Sequence, residues 1–256
     1  MLVTPDGCCL TQHRNHQMAL LDVAIEDHHH LRVWHRHRPA DTLELSLTLE
    51  STPDDPTIWV QLWDSKRLAA TRVSPDADRW FSRTLNQPCS LVMMPASTHR
   101  AVDPAYARYE ETLRFADVYP YLLIGQASLD DLNQRSGQPL AMLRFRPNIV
   151  VSGSEPYEEE TWDRFRIGHQ WFYGGESCGR CMITTLDPAT GQTGPEPLRT
   201  LARYRHQGNK LVFGQYVLAE SQPSPAITGS VETPVMLQVG QSIEGLSQRV
   251  VAHPQS

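Results

Sequence analysis

Apolar and polar positions alternate in short stretches along the first third of the chain. In Leu43-Glu-Leu-Ser-Leu-Thr-Leu-Glu50 every second residue is apolar, the pattern of a half-buried strand. Met18–Ile25 and Thr57–Trp63 are apolar-rich runs of similar length and predict two further strands. Leu2-Val3-Thr4 and Cys9-Leu10-Thr11-Gln12 flank Pro5-Asp6-Gly7, and Asp-Gly between extended runs predicts a hairpin. Ser74-Pro75-Asp76 then opens a helix, with Ser74 as N-cap and Trp80, Phe81 and Leu85 on one face. The polar stretch 91–116 predicts a loop crossing between subdomains.

Beyond it, the continuous apolar run Tyr121–Gly125 predicts a buried strand. Ser128–Asn133 predicts a helix capped by Ser128, and Phe145–Val151 a strand. Pro156–Trp162 predicts a short acidic helix whose run Glu158-Glu159-Glu160 is a solvated face. Met182–Thr185 predicts a strand, Asp187–Gly191 a turn, Pro197–Tyr204 a helix and Leu211–Ala219 a last strand. Short strands dominate, so the fold class expected is mostly β (α+β), with barrel-like packing and a few helices.

Composition narrows the function. A chain of 256 residues builds one large core or two modest domains. A net charge of −6 gives no general attraction to nucleic acid or anionic lipid. No apolar run approaches the roughly 18 residues of a membrane span. Five cysteines at irregular spacing argue against a secreted disulfide framework, and no signal sequence is evident, so a cytoplasmic location is expected. Basic residues are almost all arginine, Lys66 and Lys210 being the lysines. The chain opens in mid-hairpin, as if a strand preceded Met1.

The candidate chemistry lies in two motifs. Cys178-Gly-Arg-Cys181 has three readings: half of a zinc site, a dithiol redox pair, or one thiolate ligand to a soft transition metal beside a structural cysteine. No second Cys pair or suitably spaced His completes a zinc site, and the β-branched residues that follow do not suit a thioredoxin-type helix. Neighbouring Arg180 suits an anionic sulfur, although, judged alone, the motif is better explained by two ordinary buried cysteines. The second motif is Arg144-Phe-Arg-Pro-Asn148, in which Arg146 and Asn148 would share one side of an extended segment. A guanidinium offers a fork to phosphate, and an amide both donates and accepts. Gly214 in Phe213-Gly-Gln-Tyr216 permits close backbone approach, and the Tyr216 phenol can bond a polar ligand. His28-His29-His30 and His35-x-His37 read as a solvated hairpin.

These motifs carry a resemblance. Arg144–Gly153, Cys178–Gly191, Glu196–Arg205 and Phe213–Tyr216 occur in the order found in the MOSC family. Phe115–Leu123, Ala127–Asn133 and Leu10-Thr11-Gln12 also fit, so nearly the whole chain is similar to the amidoxime-reducing branch of that family and its bacterial relatives. The resemblance implies an N-terminal β-barrel-like subdomain over 1–95 lacking its first strand, a MOSC β-barrel over 96–243, and a C-terminal tail over 244–256. It implies a molybdenum–molybdopterin cofactor, with Cys181 as metal ligand and catalytic residue. Tyr119, Arg146, Asn148, Gly179, Arg180 and Tyr216 would contact the cofactor, Tyr119 through backbone alone. Family members are also associated with pyridoxal phosphate.

The activity implied is reduction of small N-hydroxylated substrates such as amidoximes or hydroxylamines. The first strand of relatives bears a Lys-Ser pair and a later Arg, and this chain starts after them. It also lacks the cysteines of a C-terminal ferredoxin domain, so electrons would come from a separate ferredoxin-like or cytochrome-like protein. The alternative implied is a non-catalytic carrier of molybdenum cofactor or sulfur.

Overall fold

Strands outnumber helices in this computed structural model, which describes residues 1–48, 52, 55–63, 67–108, 111–220 and 236–248. The architecture is the mostly β, α+β class expected. Contacts divide the chain into two units, Met1–Arg100 with Thr185–Gly194, and Ala101–Thr184 with Pro195–Ser256.

The first unit contains β1 (Leu2–Val3), β2 (Leu21–Glu26), β3 (His30–His35), β4 (Arg38–Ser46), β5 (Thr57–Val60), β6 (Leu68–Arg72), α1 (Pro75–Thr84) and β7 (Ser90–Met93). They form a sheet in the order β1-β7-β6-β5 and a meander β2-β3-β4. The opening hairpin is present, with Leu10 N donating to Leu2 O at 2.9 Å. Ser74 caps α1 by accepting from Ala77 N at 3.0 Å. Trp80, Phe81 and Leu85 then pack against Leu2, Leu10 and Val33, as an apolar helix face requires.

Three expectations shift in this unit. The stretch Met18–Ile25 divides into a 3-10 turn (His16–Leu20) and β2. The strand expected over 43–50 is displaced toward Arg38, and residues 49 and 50 lie outside those described. β7 occupies the start of the stretch read as a loop, because Asp78 accepts from Leu91 N at 2.6 Å and fixes it beside α1. His28, His29 and His30 lie exposed at the β2–β3 turn, whereas His35 is buried and its ring is pushed below its ordinary pKa by that burial.

The second unit contains β8 (Tyr121–Gly125), α2 (Gln126–Ser136), β9 (Ile149–Val151), β10 (Trp162–Ile167), β11 (Gln170–Gly179), α3 (Leu198–Leu201), β12 (His206–Gln207), β13 (Lys210–Ala219) and β14 (Ile243–Gln248). Its sheet has the order β14-β10-β11-β13-β8-β9 and curls into a half-barrel, with β12 paired to β13. β8 is paired on both sides, by β13 and β9, and its sequence is apolar at successive positions: Leu123 and Ile124 are fully buried. β8 and β9 are parallel, a pairing that needs a crossover, and α2 supplies it. The chain returns from α2 through 145–148, so the second motif is delivered to the sheet as β9 begins.

Four local expectations are corrected here. Ser128 is not a cap, since β8 runs directly into α2 at Gly125; its hydroxyl is buried and donates to Glu159 at 2.8 Å. Glu159 and Glu160 are buried rather than solvated, because Ser128, Gly125 N, Gly214 N and the Arg205 guanidinium satisfy their carboxylates. Met182–Thr185 forms a 3-10 helix, closed by Thr184 donating to the Cys181 carbonyl, and not a strand. Phe145–Val151 is extended only from Ile149; Met142–Arg144 is a 3-10 turn and Arg146 is left-handed, at φ 56°. β14 (Ile243–Gln248) is the edge strand beside β10, and residues 249–256 lie outside those described. Among the described residues, no helix is long and apolar enough to cross a membrane.

Candidate functional site

The Cys-Gly-Arg-Cys segment lies where β11 ends. Gly179 pairs with Val212 of β13, and Arg180 N donates to Leu211 O at 2.7 Å. The β11–β13 register shifts twice, between Gly174 and Ser177 and again between Ser177 and Gly179. Such bulges re-aim side chains beside a site. Gly214 lies in the same irregular region at φ 79°, and a Cβ there would fall 2.9 Å from the Leu123 carbonyl. The glycine of Phe-Gly-Gln-Tyr therefore permits β13 to close on β8.

The two cysteines are in opposite environments. Cys181 is exposed in the turn after β11, and its carbonyl accepts from Thr184 Oγ1 at 3.0 Å. Cys178 is buried, at 3 % exposure, among Phe145, Phe213, Leu211 and Tyr216. The Arg180 guanidinium reaches back to it. Nη1 lies 2.8 Å from Cys178 Sγ, and Nη2 donates to the Phe145 carbonyl at 2.7 Å. Arg180 Nε is buried and has no partner among the described residues, an orphan donor that calls for an acceptor.

Tyr216 completes the far side of Cys178. Burial first, and then the neighbouring Cys178 sulfur to which its hydroxyl bonds, push the phenol well above its usual range. Its ring stacks on Tyr119 with centroids 4.8 Å apart and planes at 7°. Tyr119 is itself buried, and Gly175 makes room for it: a Cβ there would lie 2.5 Å from Tyr119 Cε1. The Tyr119 side chain thus supports Tyr216 from behind.

Asn148 is pinned to β8, its N donating to Leu122 O and its Oδ1 accepting from Leu122 N, both at 2.9 Å. Leu122 pairs with Tyr216 across the sheet. The loop 145–148 is therefore held at both ends, by Arg180 at Phe145 and by β8 at Asn148. Arg146, between these anchors, is exposed and has no side-chain partner among the described residues. Its exposure comes from the left-handed turn, so the strand alternation read from sequence is not what relates Arg146 to Asn148.

Arg180, between Gly179 and Cys181, is tied to the 145–148 loop through the Phe145 carbonyl; Arg146 and Asn148 lie in that loop, Asn148 is bonded to Leu122 beside Tyr216, and Tyr119 stacks on Tyr216. Sequence reasoning missed three participants: Cys178 as a polar hub, Gly175 as the seat of Tyr119, and Lys210. The Lys210 stem lies over Gly179, Cδ being 3.4 Å from where a Cβ would stand. Only the scarcity of lysine in this chain could have signalled it.

Among the described residues, no three His, Cys, Asp or Glu side chains are grouped to hold a metal ion. A metal at Cys181 would bring most of its own ligands. A phosphate-bearing organic cofactor carrying a thiophilic metal fits this donor set: one exposed thiol, an exposed arginine without an acid and a second guanidinium with a spare buried N–H.

Fold and site together define a mostly β protein that presents a single exposed thiol and a phosphate-suited pair of arginines at the end of a bulged strand. A model of the MOSC domain matches residues 110–244, more than half of the chain, and the chain belongs to that family. It is similar to the molybdenum cofactor sulfurase of Oryza sativa subsp. japonica, 36 % identical over 183 residues, which cover 64 % of this chain and 22 % of the relative. It is also similar to mitochondrial amidoxime-reducing component 1 of Homo sapiens, 36 % identical over 158 residues (56 % of this chain, 46 % of the relative). The same component of Mus musculus is 30 % identical over 244 residues, 86 % of this chain and 67 % of the relative. The chain thus spans about a fifth of the sulfurase and under half of the human component.

Proposed function

We propose that this chain holds a molybdenum–molybdopterin cofactor and reduces N-hydroxylated compounds with electrons from a separate redox protein. The observation that carries the reading is the exposed Cys181 thiol next to the Arg180–Phe145 clamp and the unpaired Arg146. Similarity to the amidoxime-reducing components supports the reaction class. When bound, the cofactor supplies two-electron redox chemistry at its metal.

The residues of the chain divide the remaining work. Cys181 contributes the soft ligand. Arg146 and Arg180 take the phosphate, as charge-assisted donors whose geometry matches phosphate oxygens. Asn148 Nδ2 and the Tyr216 hydroxyl orient the pterin, and Tyr119 keeps Tyr216 in place. Gly179 leaves the strand end open for close approach. Cleaving the N–O bond of an amidoxime or hydroxylamine consumes two electrons and two protons and leaves an N–H bond and water. The electrons come from an external ferredoxin-like or cytochrome-like donor.

Activity of protein produced in a cofactor-making host, assayed with a chemically reduced mediator and a hydroxylamine, tests this directly. Wild type is expected to turn over and Cys181→Ser to be inactive; full activity in the variant contradicts the mechanism.

A second reading is a carrier that holds the cofactor or its sulfur without turnover. The match to the rice molybdenum cofactor sulfurase favours it. Tight cofactor retention with no reduction under any donor would select this alternative.

A further inference from the structure

The charge around Cys181 differs from the charge elsewhere in the chain. The protein carries a net charge of −6, and most of its described arginines are tied to carboxylates: Arg36 to Asp22, Arg83 to Asp41, Arg108 to Asp163, Arg164 to Glu220, Arg205 to Glu160. At the end of β11 this pattern lapses. Arg146 has no acid, Arg180 is bound to a thiol and a carbonyl, and Lys210 is exposed with no ion pair among the described residues.

Lys210 is held close to this pair by backbone geometry. It begins β13, one residue before the Leu211 carbonyl that accepts from Arg180 N at 2.7 Å. Its Cβ, Cγ and Cδ all lie within 3.8 Å of the position a Gly179 Cβ would occupy. The stem therefore covers the glycine, and the ammonium is one methylene beyond it, within reach of the Gly179–Cys181 turn. Arg146, Arg180 and Lys210 carry no ion pair among the described residues and raise the local potential, although the Asp117 carboxylate acts on neighbouring Tyr216.

We propose that Lys210 is a third anion-binding residue of this site, closing over the phosphate of the bound cofactor together with Arg146 and Arg180. The inference rests on the reading of the site as a cofactor holder. It adds a residue that neither motif contains. Lysine serves here as a mobile point charge rather than a fork, suited to a rim that opens and closes over its ligand.

Titration of the purified protein with inorganic pyrophosphate, followed by calorimetry, tests the proposal without any dependence on turnover. Pyrophosphate is expected to bind wild type, about ten-fold more weakly to Lys210→Gln, and nearly as well to Lys210→Arg, with the difference shrinking in high salt. Arg79→Gln, an exposed cation distant in sequence and paired with Asp76, controls for net charge. Equal binding by wild type and Lys210→Gln, or no binding by wild type produced in a host that makes no molybdenum cofactor, overturns the inference. Molybdenum content is measured on the same proteins from a cofactor-producing host. Pyrophosphate binding that depends on Lys210 in a protein without molybdenum would leave the anion site standing and overturn the cofactor reading instead. Loss of molybdenum in Lys210→Gln during dialysis at low salt, about ten-fold faster than from wild type, would support both.

Discussion

Arg180 Nη1 lies 2.8 Å from the sulfur of Cys178, so the cation of the Cys-Gly-Arg-Cys segment is folded back onto the buried cysteine. Arg180 is thereby held as a strut between β11 and the Phe145 carbonyl, and the segment divides into a structural half and a chemical half. The two cysteines should respond to mutation in opposite ways. Cys178→Ala removes the acceptor for Arg180 and the partner of Tyr216, and is expected to destabilise the fold by about 1–3 kcal/mol. Cys181→Ala, at an exposed position, is expected to stay within about 0.5 kcal/mol of wild type. Denaturant unfolding of the two variants measures this contrast.

Arg146 occupies a left-handed backbone position that costs a non-glycine residue about 1 kcal/mol. Arg146→Gly relieves that strain and removes a cation. The variant should therefore melt at or above the wild-type temperature while retaining less cofactor. Arg146→Ala keeps the strain and removes the same cation, so it should melt near the wild-type temperature, below Arg146→Gly, and also retain less cofactor. Thermal denaturation and metal content, measured on the same preparations, separate the two effects.

Gly175 seats the Tyr119 ring. A methyl group there meets Tyr119 Cε1 at 2.5 Å, so Gly175→Ala must push the ring away and disturb its stack on Tyr216. A loss of about 1–3 kcal/mol is expected, as for other overpacked sites. Unfolding monitored by tyrosine fluorescence or near-UV dichroism checks both the loss and the altered stack.

Glu159 is buried, and burial raises its carboxyl pKa in the folded state despite bonds from Gly125 N and Ser128. A folded-state pKa above the unfolded value means the native state binds more protons between the two. This group's contribution therefore falls as pH rises from the ordinary carboxylate range, and levels off above the raised pKa. Glu159→Gln abolishes that titration. Relative to wild type, the variant should be at its least stable in acid and gain ground as pH rises toward neutral. Unfolding free energies across that range measure the trend, and a difference independent of pH would contradict it.

Much of this was legible because local chemistry and tertiary context agreed. The Ser74-Pro75 start of α1 and the apolar run of β8 each carry their own signal, and both elements form as read. Met182–Thr185 misleads because two threonines favour a strand by propensity, while Thr184 finds its partner in the Cys181 carbonyl and closes a turn. Glu158-Glu159-Glu160 misleads for a different reason. Three acids in a row look solvated, and only the return of Ser128, Gly214 and Arg205 in space supplies the donors that allow two of them to be buried. The candidate site was read through its ordered motifs. Its wiring was not, since the Cys178–Arg180–Phe145 and Tyr119–Tyr216 contacts and the placement of Lys210 over Gly179 all depend on register shifts between β11 and β13.

The most direct test of the central claim is elemental analysis for molybdenum, with pterin fluorescence, on wild type and Cys181→Ala purified from a cofactor-producing host. Near-stoichiometric molybdenum in wild type, lost in a Cys181→Ala variant of unchanged stability, is the result predicted. Molybdenum retained by the variant, or absent from both proteins, would contradict the assignment of Cys181 as the metal-holding residue of this fold.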